Sequence, residues 1–342
     1  MTRTSARAYP ILIAVAGVLM TACSPREPFT KETFVMGTKA WVTIAGMKHE
    51  DADSAATEAF RELYRIESAM STWRPQSELS RLNTEANGTP LPLSRELCSL
   101  IDSSLFYARA TSGAFDVTVR PLVLLWGFQG GETRIPSEEE ISHALASVGH
   151  ERITLDSRRS TVTLPAGMQI DLAGIAKGYA VDRCVVILAR RGVTNALVNL
   201  GGNIYAMGAP SGEKGWRVGI RDPNGALETV GSLLLRNEAV ATSGNYENFV
   251  EIDGKRYGHI IDPRTGWPVS NVLSVTVVAP SGLASDALST GLFVLGPDRA
   301  NDVIARLKNV RALYALPPGD KPLYKEIGSF SGTLTLAGGK AL

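Results

Sequence analysis

An α+β fold with largely antiparallel sheet is predicted for this chain on three observations. Amphipathic helical stretches mix with β-rich runs, without the strict βαβ rhythm of a doubly wound fold. The runs of the second half are short and separated by Gly, Asp and Asn, as in hairpins. The 342 residues, 44% of them hydrophobic, suffice for the core of one large domain or two intimate ones.

The elements follow in order. From Asp53 to Met70, Ala56, Phe60, Leu63, Ile66 and Met70 recur at helical spacing. Ser94 opens a second helix with Leu97, Ile101, Leu105 and Ala108 on one face, and Gly113 stops it. Ser137 followed by Glu140 forms a capping box for a third, with Ile141, Leu145 and Val148 as its apolar positions. Arg152–Asp156 and Ser160–Leu164 flank a polar turn and read as a hairpin. A helix over Ile175–Arg191, closed by Gly192, precedes a strand over Asn195–Leu200. Strands are expected at Trp216–Ile220, Ser232–Leu235, Ala239–Ser243, Phe249–Ile252 and Tyr257–Ile261, with Asp253-Gly254 as a hairpin turn. A strand at Leu273–Val278 leads to a helix over Leu283–Leu295, and another helix starts near Asp298.

Composition excludes several classes. Lys+Arg at 35 against Asp+Glu at 34 gives a net charge of +1, so no basic field is directed at nucleic acid. Three cysteines, Cys23, Cys98 and Cys184, build neither a disulfide scaffold nor a C-x-x-C zinc site. Cys98 and Cys184 lie in apolar helical patterns and are expected as buried free thiols.

The N-terminus reads as an address. Arg3 and Arg7 precede the apolar run Ile11–Met20, which ends in Thr21-Ala22-Cys23. That run is about half the ~20 residues a bilayer-spanning helix needs. Met20-Thr-Ala-Cys23 is similar to a bacterial lipobox, with Met in place of the usual Leu, and the alternative is an ordinary signal peptide with a chance cysteine. The expected organisation is a signal peptide at 1–22, a lipidated Cys23 with a tether to residue 32, and one domain over 33–342. Loss of Arg3 and Arg7 takes the charge from +1 to −1.

Familiar catalytic signatures are absent: no G-x-x-x-x-G-K-[ST], no G-x-G-x-x-G after a strand, no H-E-x-x-H, no G-x-S-x-G. Small-residue and Asp/Thr/Arg clusters stand out instead. Asp171-Leu-Ala-Gly174-Ile-Ala-Lys177-Gly178-Tyr179 places an acid, a glycine and a lysine at a helix start, which suits either an anion site or a simply capped helix. Asp286 and Thr290 share a helix face four residues apart; both offer oxygen to a hard cation, or they cap and back-bond within their own helix. His259 precedes the rigid turn Asp262-Pro-Arg-Thr-Gly266 and is either a base or a hydrogen-bonded structural residue. His49, His143 and His150 lie in polar contexts and are expected at the solvated surface. Ser112–Thr118 and Met70–Arg74 set Phe115 and Trp73 beside small polar residues, as a stacking wall or as core.

In this order the segments resemble the ApbE family of FAD:protein FMN transferases, periplasmic enzymes that attach FMN through its phosphate to a threonine of a target protein. The likeness runs from Met36-Gly-Thr38 to Gly296 through Met70-Ser-Thr-Trp73, Gly113-Ala-Phe-Asp116, Asp171–Tyr179, Asn199-Leu-Gly-Gly-Asn203, Thr242-Ser-Gly-Asn245, His259–Gly266 and Asp286–Thr290. It implies a T-fold-related architecture with a catalytic domain over 33–342, and FAD as substrate. It implies flavin contacts at Met36, Trp73, Ala114, Phe115, Asp116, Asp171, Lys177 and Ile260, and Mg²⁺ held by Asp286, Thr290 and a Gly174 carbonyl. His259 matches the proposed base. Trp73 stands where many relatives have Tyr, which keeps stacking and drops a phenol hydrogen bond. The implied acceptors are subunits of sodium-translocating quinone reductase or Rnf-type complexes, and the implied location is the periplasmic side of a membrane, the inner favoured over the outer. Alternatives are an FAD pyrophosphatase releasing FMN and AMP, and a non-catalytic flavin-binding lipoprotein. A penicillin-interacting serine enzyme, suggested by Ser211-Gly-Glu-Lys214, fails because that tetrapeptide has turn composition rather than a helix start.

Overall fold

The computed structural model of the chain describes residues 27–131, 133–225, 228–246, 248–317 and 323–336. The expected signal segment and Cys23 lie outside them. The described chain opens on a hairpin of β1 (Phe29–Val35) and β2 (Thr38–Ile44), closed by Met36 and Gly37 at φ of 52° and 71°, as a two-residue turn of the I′ kind requires. Phe29 already pairs with Ile44, so the tether expected to reach residue 32 ends earlier.

Helix α1 (His49–Met70) starts four residues ahead of the expected Asp53. α2 (Glu78–Glu85) is capped by Ser77, whose Oγ accepts from the Ser80 N–H at 2.9 Å. After β3 (Leu91–Pro92) comes α3 (Arg95–Ala110), capped by Ser94 and stopped where the Gly113 N–H, at φ 75°, donates to the Ala108 carbonyl. α4 (Arg120–Leu125) and α5 (Glu138–Leu145) follow, the latter with both bonds of the expected capping box. β4 (Thr154–Asp156) and β5 (Thr161–Thr163) form the expected hairpin, extended by β3.

The second half runs α6 (Ala176–Arg190), β6 (Ala196–Leu200), β7 (Asn203–Met207), β8 (Trp216–Arg221), β9 (Thr229–Leu235), β10 (Glu238–Gly244), β11 (Phe249–Ile252) and β12 (Lys255–Gly258). It ends with β13 (Ser274–Ala279), α7 (Gly282–Leu295), α8 (Pro297–Ile304), β14 (Arg311–Leu316), β15 (Leu323–Ile327) and β16 (Leu334–Leu336). The strand expected over Tyr257–Ile261 stops at Gly258, because the chain turns to pair Ile260–Asp262 with Trp267–Val269 around the 263–266 turn.

Eight strands form one sheet in the order β1-β2-β6-β7-β10-β13-β14-β15, every neighbour antiparallel. This bears out the α+β expectation. Period-2 alternation gives the sheet two faces. On β13, Val275, Val277 and Ala279 pack with Leu288 and Leu292 of α7, while Val278 joins Trp216, Leu233 and Leu235 of the small sheet β16-β9-β8. Helices α1, α6 and α7 thus cover one face and a second sheet covers the other. Cys98 and Cys184 are buried free thiols, as expected, and burial pushes both thiols up.

Candidate active site

A cleft of about 960 Å³ is bounded by the tip of the β1–β2 hairpin, the 114–119 loop, the start of α6, the end of β10, the β11–β12 hairpin and α7. Its size is within the range of small-molecule sites. Every residue expected to contact flavin, hold metal or act as base lines it: Met36, Trp73, Ala114, Phe115, Asp116, Asp171, Gly174, Lys177, His259, Ile260, Asp286 and Thr290.

The hairpin turn holds Met36 at the rim, and its backbone N–H donates to Glu67 Oε1 at 2.8 Å. Glu67 is itself paired with Arg74 at 2.6 Å, which ties the rim to the end of α1. The two aromatic candidates separate. Trp73 is 69% exposed and free to stack on a ring, whereas Phe115 is 3% exposed and packs beneath Gly174, where a Cβ would stand 3.2 Å from its ring.

Asp116 is placed differently from a simple ligand contact. Its Oδ1 accepts from the Thr118 N–H and hydroxyl at 2.8 and 2.6 Å, and its Oδ2 from the His150 N–H and Nδ1 at 2.9 Å each. These bonds outweigh the burial that opposes them and hold the carboxyl below its ordinary range. The carboxylate therefore braces the 114–118 loop from within. His150 corrects the surface expectation made for it: it is 5% exposed, and the Asp116 carboxylate raises its pKa. A polar sequence neighbourhood hid a partner that lies 34 residues away.

Asp171 Oδ1 accepts from the Ala173 N–H at 2.8 Å, and Gln129 donates to Oδ2. This turns the chain into α6, where Lys177 reaches the Ala173 carbonyl at 3.2 Å. Asp286 is buried on α7, and its Oδ2 accepts from the Gly178 N–H at 2.8 Å. Burial pushes its pKa up; Lys177, the Gly178 N–H and the Asn203 side chain pull it back. Thr290 lies one turn on, its Oγ1 3.1 Å from where a Cβ on Gly174 would stand, so glycine lets the turn before α6 sit close against α7. Asn203 Oδ1 is buried in the same cleft without a hydrogen-bond partner among the described residues. A carboxylate, a hydroxyl, a backbone carbonyl and an orphaned amide oxygen are hard donors, too few to cage an ion and well suited to share Mg²⁺ with phosphates. The residues present fit that ion.

His259 sits just past β12, half-buried, with Nδ1 donating to the Asn248 carbonyl at 3.0 Å. That bond sets the tautomer and leaves Nε2 as an acceptor. Burial pushes its pKa down and the Lys177 charge adds to the effect, against the pull of the Asn248 carbonyl; the balance favours a neutral ring able to take a proton. Sequence reasoning did not single out Asn203 or Gln129. Asn203 was visible only as the end of Asn199-Leu-Gly-Gly-Asn203, a pattern that reads as a tight turn.

The sequence profile of the ApbE family matches residues 36–314. Among similar proteins, an FAD:protein FMN transferase of Haemophilus influenzae is 38% identical over 89% of this chain and 91% of its own length. That of Vibrio cholerae is 36% identical over 94% of this chain and 97% of its own. The solved flavin transferase ApbE from Vibrio cholerae superposes with a TM-score of 0.80 at 33% identity, covering 90% of this chain and 99% of that one. The ApbE protein of Thermotoga maritima also gives 0.80 at 33% identity, over 88% and 97%. With the cleft, the fold and the sequence in agreement, the chain belongs to the ApbE family.

Proposed function

We propose that this transferase moves FMN from FAD to a threonine or serine hydroxyl of an acceptor protein, releases AMP, and uses Mg²⁺ to do so. The observation that supports it best is the gathering of Lys177, Asp286, Thr290 and a neutral His259 in one cleft with the exposed Trp73 at its rim. In the reaction the acceptor oxygen bonds to the FMN phosphorus, the diphosphate bridge breaks, and AMP leaves with the electron pair. The hydroxyl proton passes to His259 Nε2, the ring nitrogen not engaged by Asn248. Trp73 offers a face for the isoalloxazine ring, and Lys177 supplies a positive charge for the diphosphate at the start of α6. Mg²⁺, held by Asp286, Thr290 and the Gly174 carbonyl, would offset the charge that gathers on the phosphates.

The acceptors we propose are subunits of membrane redox complexes of the sodium-translocating quinone reductase or Rnf type. Export through residues 1–22 and lipidation at Cys23 would put the enzyme at the periplasmic face of the inner membrane, where such subunits are reached. The test is incubation with FAD, Mg²⁺ and a flavin-accepting subunit, followed by in-gel flavin fluorescence and assay of AMP. A fluorescent acceptor band with matching AMP is expected, and excess EDTA should abolish both. AMP without a labelled band would make the chain a pyrophosphatase; neither would make it a flavin binder.

A further inference from the structure

Helices α6 and α7 meet more closely than side chains permit. A Cβ on Gly178 would stand 2.1 Å from the Gly282 carbonyl oxygen, and one on Gly282 would stand 2.5 Å from the Gly178 carbonyl oxygen. At this crossing each helix start is capped by a carboxylate of the other. The Gly178 N–H of α6 donates to Asp286 Oδ2 at 2.8 Å. In return, the Gly282 and Leu283 N–H groups of α7 donate to Asp182 Oδ1 and Oδ2 at 2.6 and 2.9 Å.

Asp286 belongs to the cleft; Asp182, on α6, does not line it. The local cap, the Ser281 hydroxyl, serves only the Ala284 N–H, at 3.1 Å, and leaves the Gly282 and Leu283 N–H groups to the carboxylate that reaches over from α6. Keeping a carboxylate there is unfavourable in itself: burial pushes Asp182 up to about 6, against the pull of its two N–H donors. What the clamp does fix is spacing. Gly174 and Lys177 sit at the start of α6, Asp286 and Thr290 on α7, and nothing else described at the crossing bonds the two helix starts in both directions.

We propose that Asp182 is a positioning residue for the metal and diphosphate site: by gripping the start of α7 from α6, it sets the separation between Gly174 and the Asp286–Thr290 pair. The inference rests on the Mg²⁺ reading above. Groups that orient metal ligands from behind typically change metal affinity by about 10–100-fold when altered.

The test uses Asp182→Asn, which keeps the volume but turns a donating amide toward one of the two N–H groups, and Asp182→Glu, which keeps the charge and adds a methylene. Mn²⁺ binding is followed by electron paramagnetic resonance with FAD present and no acceptor protein, beside the Mg²⁺ dependence of transfer. The expected result is folded variants whose Mn²⁺ affinity falls about tenfold or more, with KM for FAD at saturating Mg²⁺ little changed. A folded Asp182→Asn that binds Mn²⁺ as wild type does would overturn the proposal, and so would failure of both variants to fold, which would assign Asp182 to stability. If wild type itself binds no Mn²⁺ and transfers FMN in EDTA, the Mg²⁺ reading fails and this inference with it.

Discussion

The His259 ring is held by one hydrogen bond and tuned by its surroundings. Its Nδ1 is engaged by the Asn248 carbonyl, and burial and Lys177 lower its pKa, so the acceptor nitrogen stays free at neutral pH. Loss of a general base slows a reaction by on the order of 10²–10⁴. His259→Ala should therefore bind FAD normally and transfer FMN at least about a hundredfold more slowly, roughly 2.7 kcal/mol of barrier. Because the folded pKa is depressed, the wild-type rate should decline only below the ordinary histidine range near pH ~6.5, and that acid limb should vanish in the variant. A pH profile that survives the substitution would return the histidine to a structural role. His150 behaves in the opposite sense. Its raised pKa makes its stabilising contribution complete at low pH and lost as pH rises through the folded value; Asp116, depressed, contributes at higher pH and loses its share as pH falls through its own. His150→Ala removes the ring's bond to the buried Asp116, which keeps the Thr118 and residue-150 backbone donors, and should destabilise the protein by about 1.5–3 kcal/mol, read by urea unfolding, with weaker FAD binding as the 114–118 loop loosens.

Elements differ in how openly their residues announce them. The capping box at Ser137–Glu140 and the Asp253-Gly254 turn, at φ of 52° and 74°, were legible because they close within four residues. β1 was not: Phe29–Val35 is an edge strand whose sequence, FTKETFV, alternates half-buried with exposed positions, and its first four residues read as tether. β14 and β15 escaped for the related reason that their pairing with β13 and with each other defines them more than their composition does. The α6–α7 crossing is a close backbone contact between two elements of the site. Gly178→Ala must push the helices apart against backbone, not against a side chain that can rotate. Overpacking of this kind costs about 1–3 kcal/mol or more. We expect a lower melting temperature together with a loss of transfer activity larger than that loss of stability alone would produce, because Asp286 moves with α7. A Gly178→Ala enzyme of wild-type activity would show that the close approach serves packing alone.

At the scale of the whole molecule, the eight-stranded sheet is a frame that brings residues from Met36 to Thr290 to one cleft, with α1, α6 and α7 behind it. No helix among the described residues is long and apolar enough to cross a membrane. Membrane attachment through a lipid is a prediction about Cys23: Cys23→Ser should take up no labelled palmitate and should shift from the membrane fraction to an uncleaved or soluble form. Absence of label in wild type would remove the anchor. While α2, α4 and the Met36-Gly37 turn went unread, the amino-acid sequence by itself determined the longer helices, the caps at Ser94 and Ser137, the turns after Asp156 and at Asp253-Gly254, the α+β class and the set of motifs that carry the family likeness. These rest on bonds between residues three or four apart, or on residue identity alone. Only the tertiary structure decided that His150 is buried against Asp116, that Asn203 at the cleft keeps a buried oxygen without a partner among the described residues, and that Asp182 grips a helix a hundred residues away. Burial, proton affinity and ligand geometry are set by neighbours in space, and for these residues the deciding neighbours are far away along the chain.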